Sequence, residues 1–395
     1  MEQRLARILN FGHAIDHLVL LIYPTAVIAL AHEFGRPYEE LLPLSFAGFA
    51  AWGICALPAG WLGDRWSRRG LMLIFFFGTG VACILAGLAR TPFEIGAALT
   101  LIGIFSAIYH PVGYAILHGL DPKTIGRTLG VNGLWGNLGV AFAALITGVL
   151  TDLISWRAAF IVPGIACIAG GFVFWHTAHA VRASGGIRKH ATIPMARAML
   201  VKIIAIVFGM IILGSLVFNA TTVVMPKLFE QNTYLLAGGT TGIGILVCLV
   251  FTVSAFAQTF IGGLLDRHSI RAVLVPVVAA QVPFVLLAGL TQNWLLIAAA
   301  IGMMFFIFGQ NPIGEVIVAR YIDDRIRARF NAVRFAVSSG IGATAIPLAA
   351  WLYGWQQDFT ALFVVLAVLS GMIALIALFF PREQHLAAAI VAPAE

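Results

Sequence analysis

Apolar runs long enough to cross a bilayer follow one another through nearly the whole chain, separated by short polar turns. A spanning helix needs about 20 apolar residues at 1.5 Å each. Twelve stretches qualify: roughly 9–31, 43–63, 70–89, 92–118, 127–152, 156–179, 198–228, 237–264, 271–290, 293–320, 329–354 and 356–380. Inside lipid every backbone N–H and C=O must be satisfied within the protein, which leaves only helices and closed barrels. Runs this long are helical. Only 10% of the residues are charged and 61% are hydrophobic, against about a quarter charged in soluble domains. The expected fold class is an all-α membrane protein with twelve transmembrane helices.

The few charges are concentrated. Gly60-Trp61-Leu62-Gly63-Asp64-Arg65-Trp66-Ser67-Arg68-Arg69-Gly70 joins the second run to the third. A close copy, Gly262-Gly263-Leu264-Leu265-Asp266-Arg267-His268-Ser269-Ile270-Arg271, joins the eighth to the ninth. Other stretches repeat at nearly the same interval. Gly12-His13…His17…Tyr23-Pro24 aligns with Gly214-Ser215…Asn219…Met225-Pro226. Tyr109-His110-Pro111-Val112-Gly113 aligns with Gln310-Asn311-Pro312-Ile313-Gly314, and Arg127…Asn132 with Arg329…Arg334. The chain therefore reads as two pseudo-symmetric six-helix bundles, 1–181 and 198–395, joined by a hydrophilic linker at 182–197. Parallel repeats of this kind place a substrate path between the halves near the midplane.

Lysine and arginine give the orientation. With the N-terminus inside, only Arg36, Arg90, Arg157 and Lys227 fall in outer segments, while Arg334 lies within a run. Both termini are expected in the cytoplasm of a cell with this protein in its inner membrane. The basic excess is thereby a matter of topology, and nucleic acid is not an expected partner. Cys55, Cys83, Cys167 and Cys248 lie scattered in apolar runs without CxxC spacing, so neither a disulfide framework nor a metal site is expected from them. His13, Asp16 and His17 interrupt the first run and make it a poor signal peptide. No nucleophile–base grouping appears in the loops, so the protein is not expected to be an enzyme, and no cofactor is implied.

Two six-helix halves with this charged turn resemble the major facilitator superfamily. The family's loop pattern G-x-x-x-D-R-x-G-R-R is matched at Gly60, Asp64, Arg65, Arg68 and Arg69, with Ser67 where glycine is usual. The second copy keeps Gly262, Asp266, Arg267 and Arg271. Within the family, Gly12-His13-Ala14-Ile15-Asp16, Ser106-Ala107-Ile108-Tyr109-His110-Pro111 and Gly136-Asn137-Leu138-Gly139 are similar to the fosmidomycin-resistance type of exporter; Val112 and Ala143-Ala144 depart from that type. The resemblance implies a conformational latch: Asp64 meeting the start of helix 11 near Arg329, and Asp266 and Arg267 repeating the contact against helix 5 near Arg127.

Candidate site residues follow from the cost of charge in lipid, about 2.5–3.5 kcal/mol at a helix centre on insertion scales. Of the 17 acidic residues 15 fall in loops or at the ends of runs; only Asp16 and Glu315 are embedded within them, and Arg334 is the one embedded base. Asp16, His110 and Glu315 are the proton-coupling candidates. His13 and His17 share a helix face with each other, four residues apart, and flank Asp16. His110 precedes Pro111, where a local bend is expected. Glu315 and Arg334, on consecutive antiparallel helices, are expected to pair. His13, His17, Asn132, Asn137, Asn219, Gln310, Asn311 and Arg334 are candidates for the substrate path.

The expected function is proton-coupled secondary transport of a small organic compound by alternating access, in the direction of efflux, by a monomer in the lipid bilayer. The alternatives are uptake of an organic anion through Arg334, or of a divalent metal through His13, Asp16 and His17. A non-transporting membrane sensor is a further class. The metal alternative lacks a ligand from a third helix, and no metal site is expected.

Overall fold

The computed structural model describes residues 2–120, 125–178, 196–236 and 238–382, and every element in them is helical. Twelve helical stretches are long and apolar enough to span a membrane: Glu2–Phe34, Tyr38–Arg65, Arg68–Leu88, Pro92–His118, Ile125–Leu153, Trp156–Thr177, Arg197–Asn232, Gly239–Leu265, Ile270–Leu290, Asn293–Tyr321, Phe330–Gln356 and Thr360–Leu378. They are spans 1 to 12 below. Several begin earlier or end later than their apolar windows. Span 1 starts at Glu2 instead of 9, span 2 at Tyr38 instead of 43, span 7 runs on to Asn232, and the helix entering span 11 starts at Asp324. Hydropathy marks the lipid core, whereas a helix continues into the headgroup region. The expected linker at 182–197, except for its last two residues, lies outside the described residues, as do Lys123 and the side chains of Arg325 and Arg329.

Proline sets the breaks. A proline cannot donate to the carbonyl four residues back, and helices end at Leu20, Ile54 and Ala343, each four residues before Pro24, Pro58 and Pro347. Pro163, Pro226, Pro276, Pro283 and Pro312 stay inside continuous helices.

Each half packs chiefly on itself, span 1 on span 5 and span 3 on span 6, then span 8 on span 10 and span 9 on span 12. The seam between halves is made by span 5 against span 8 and span 2 against span 11. An even number of spans puts Glu2 and Arg382 on one face, called here the terminal face. Near the far face the seam is tight. Gly148 lies against the Thr240 backbone and Gly244 against Ala144, and at mid-span Gly53 lies against Ser339, with no room for a Cβ at any of the three. Asp152, at the end of span 5, accepts from the Thr240 and Thr241 N–H groups at 3.2 and 2.7 Å and so caps the start of span 8. Gln357 donates to Glu39 across the other pair at 2.9 Å. Toward the terminal face the same two helices part. Gly126, Gly130 and Gly133 of span 5, and Gly262 and Gly263 of span 8, have no described atom within 4 Å of where a Cβ would stand. Among the described residues this part of the seam is looser toward the terminal face.

Candidate functional site

The first half holds a polar cluster built from spans 1, 2, 4 and 5. Helical spacing puts His13 and His17 one turn apart on span 1, with Asp16 beside them. In span 4, Pro111 opens the helix into a single wide π turn, Tyr109–Gly113, a feature frequent at functional sites. Gly60 and Gly63 of the charged-turn motif let span 2 rest on that turn: a Cβ on either would come within 3.2 Å of Pro111 or 3.1 Å of Val112. The wide turn lets two neighbours in sequence, Tyr109 and His110, both face span 1.

Asp16 is completely buried, 0% exposed. Trp52 Nε1 donates to its Oδ1 at 3.3 Å, and His110 Nε2 lies 3.3 Å from its Oδ2. His13 Nδ1 lies 2.7 Å from the Asn132 carbonyl, and its Nε2 lies 3.2 Å from His17 Nε2. His13 stacks on Tyr109 at 4.9 Å between centroids, and His110 on Tyr114 at 5.8 Å. The carboxylate thus meets span 4 and span 2 directly. Asn132, also 0% exposed, donates to Asn10 Oδ1 at 3.0 Å and to the Tyr109 hydroxyl at 2.9 Å. Tyr109 donates to the Leu9 carbonyl at 2.6 Å. Asn132 therefore holds the cluster together and does not line an open path. Gly136 gives the His13 ring its place: a Cβ there would fall 2.6 Å from the ring.

Sequence reasoning missed Trp52, Tyr109, Asn10 and Tyr114. A signal for Trp52 was present, since a buried carboxylate needs a donor and the indole is the only side-chain N–H in the middle of span 2.

The second half is arranged otherwise. Arg334 of span 11 forms an ion pair with Glu315 of span 10. Glu315 is 61% exposed, and Asn311, one turn earlier, is exposed on the same face. An intramembrane charge so exposed belongs against a water-filled space and not against lipid. Phe335, next to Arg334, reaches across the seam to Trp52 and His110, with centroids 5.1 Å away in each case. The ion pair and the polar cluster therefore flank one stretch of the seam. Gln310 donates to Gln281, which donates to Ser370 Oγ at 2.8 Å, tying spans 9, 10 and 12 together. Asn219 donates to the Ser215 carbonyl of its own helix at 2.9 Å. Asn137 is partly exposed on span 5.

The charged turns serve packing within each half as well. Asp64 pairs with Arg68 at 2.9 Å and is 70% exposed. Arg65 lies over the Trp61 ring at 4.6 Å. Arg69 donates to the Trp175 carbonyl at the end of span 6, and Arg271 donates to the Phe380 carbonyl just beyond span 12. These two equivalent arginines satisfy carbonyls left over at helix ends. Asp266, Arg267 and Arg127 are exposed. The Arg329 side chain, the expected partner region of Asp64, lies outside the described residues.

Known proteins share both sequence and shape with this chain. The puromycin resistance protein pur8 of Streptomyces alboniger is 32% identical over 27% of this chain and 22% of its own. A probable hexose phosphate transport protein of Chlamydia muridarum is 24% identical over 41% of this chain and 36% of its own. The chain thus spans well under two thirds of the length of these curated relatives. In fold it is similar to a bacterial homolog of the human lysosomal transporter Spinster, crystallised in an inward-facing and occupied conformation. That likeness has a TM-score of 0.80 at 14% identity and covers 100% of this chain and 99% of the other. The Major Facilitator Superfamily description matches residues 9–250 and again 207–392, nearly the whole sequence, and the chain belongs to that superfamily.

Proposed function

We propose that this chain is a proton-coupled secondary transporter that exports a small organic compound across the cell's inner membrane by alternating access. The carrying observation is the Glu315–Arg334 pair. A carboxylate in mid-span, exposed and held by one arginine, can exchange that arginine for a proton. The exchange changes the charge of the seam at the point where the halves meet. Asp16 and His110 are the other proton-binding candidates, on the opposite wall. The lysine and arginine distribution supports cytoplasmic termini, so the looser end of the seam is the cytoplasmic one. Residues 1–181 and 198–395 are the two bodies that rock about the seam, with 182–197 as their link. The puromycin-resistance relative supports the outward direction.

A second reading, uptake of an organic anion by Arg334, draws on the hexose phosphate relative. Here Arg334 is already engaged by Glu315, so an anion would have to displace the carboxylate.

The test is flux in liposomes containing the purified protein under an imposed pH gradient, with puromycin and glucose 6-phosphate as probes. Puromycin flux driven by the gradient, lost in Glu315→Gln while gradient-independent counterflow persists, is the expected result. Gradient-driven flux at the normal level in Glu315→Gln removes Glu315 from coupling. Glucose 6-phosphate flux that Arg334→Ala abolishes favours the second reading. Absence of any flux favours a sensor.

A further inference from the structure

His13, His17 and His110 place ligand nitrogens within 4.8 Å of one another. No third helix contributes; the second is span 4, whose His110 is carried in by the π turn. We propose that this cluster binds one divalent first-row transition ion of the zinc and cobalt class. Its ligands are ring nitrogens of His13, His17 and His110, and the Asp16 carboxylate beside His110 is an outer partner.

Imidazole nitrogen suits zinc, copper, iron and nickel, and three histidines with an open fourth position make a zinc donor set. The spacing fits as well. Donors about 2.0–2.1 Å from a tetrahedral ion stand about 3.3 Å from one another. His13 Nε2 and His17 Nε2 are 3.2 Å apart, and a His110 ring nitrogen lies within 4.8 Å of a ligand nitrogen of each. The outer shell is in place too. His13 Nδ1 donates to the Asn132 carbonyl, which leaves the Nε2 lone pair facing the cluster. Trp52 occupies Asp16 Oδ1 and leaves Oδ2. A His17-to-His13 hydrogen bond would by itself satisfy those two nitrogens. It leaves the His110 ring out, with its Nε2 3.3 Å from Asp16 Oδ2. An ion engages all three rings at once, with the Asp16 carboxylate beside them. His110 retains 21% side-chain exposure and His17 is partly exposed, which gives an ion a way in. All three ligands belong to spans 1 and 4 of the first half, so binding needs no closure of the seam.

The inference shares the cluster with the transport reading, yet binding requires neither gradient nor flux. The experiment is titration of Co(II) into the full chain, purified in detergent without a histidine tag and stripped with EDTA. Expected is one equivalent of Co(II) showing the strong visible bands of a tetrahedral ion, displaced by Zn(II). His17→Ala and His110→Ala should each weaken binding at least tenfold and remove the bands, while His118→Ala and His268→Ala, at exposed positions, leave both. His110→Cys should bind again and add a thiolate charge-transfer band, which separates ligand loss from misfolding. Weak six-coordinate Co(II), or binding indifferent to His17→Ala and His110→Ala, overturns the site. The two readings fail separately: Glu315→Gln should bind Co(II) normally whatever it does to flux.

Discussion

One repeat underlies both halves, yet the halves hold opposite kinds of polar site. Where the first half has His17, His110, Tyr114 and Asn132, the second has Asn219, Asn311, Glu315 and Arg334 at the corresponding positions. In the first half the acid sits on span 1, fully buried, amid imidazoles, an indole and a π turn. In the second it sits on span 10, exposed and paired with a guanidinium, and Pro312 stays within a regular helix. Burial is the difference that matters. A buried network loses stability when one member goes, because its partners stay desolvated. An exposed pair loses little, because water takes the vacated place.

The sharpest way to break the comparison is to delete equivalent residues. Asn132→Leu leaves Asn10 and Tyr109 each short of a partner and should cost about 2–3 kcal/mol, at ~1–3 per unsatisfied buried group. Arg334→Leu should cost no more than about 1 kcal/mol. Thermal unfolding of the two purified variants in one detergent reads the contrast, and equal losses would end it.

The same contrast holds one turn farther along. Gly136 has the His13 ring where a Cβ would go, whereas its counterpart in the second half is Ser338, which already carries one. Gly136→Ala should destabilise by about 1–3 kcal/mol through overpacking, and Ser338→Ala by less than about 0.5 kcal/mol. Their relative melting temperatures are the measurement, and a harmless Gly136→Ala would mean the ring is not held there.

Much of this was legible in advance. Hydropathy gave the number of spans because lipid imposes one length and one backbone solution on all of them. The Glu315–Arg334 pair was readable because each was an embedded charge with no nearer counterpart. What stayed hidden was the joining of distant helices by neutral groups. Trp52, Tyr109 and Asn10 look like ordinary span residues, and only packing shows that their donors and acceptors converge on Asp16, His13 and Asn132. Sequence spacing also could not say that Pro111 would produce a π turn and Pro312 none. The arginines of the charged turns were hidden in a different way: Arg69 and Arg271 each bind a helix end within their own half, which the motif does not announce.

The seam offers a smaller test. Spans 5 and 8 are fastened near the far face by the Asp152 carboxylate on the first N–H groups of span 8. Spans 2 and 11 use the weaker amide bond from Gln357 to Glu39. A capping carboxylate is worth about 1 kcal/mol, within ~0.5–2, or roughly fivefold in a two-state population. Asp152→Ala should therefore shift the protein toward opening at the far face, while Gln357→Ala should shift it less. Distances between spin labels on Leu153 and Tyr234, near the far-face ends of spans 5 and 7, would report the change. An unchanged distribution in Asp152→Ala would show that the cap does not fasten the seam.

Asp64 should give the smallest change in stability. It is 70% exposed and paired only one turn along its own chain, with Arg68, among the described residues. Asp64→Asn should alter unfolding by less than about 0.5 kcal/mol, as exposed i,i+4 pairs do. If the resemblance in the charged turn carries its role as well, the aspartate's second contact exists only after the terminal face closes. Its loss then acts on one state alone, and the population should move toward the open form that binds Asp64 loosely. Accessibility of a cysteine introduced at Gly133, on the parted stretch of span 5, distinguishes the two outcomes. Faster labelling in Asp64→Asn with an unchanged melting temperature assigns the residue to the balance between states, and unchanged labelling makes the pair with Arg68 its whole part in the structure.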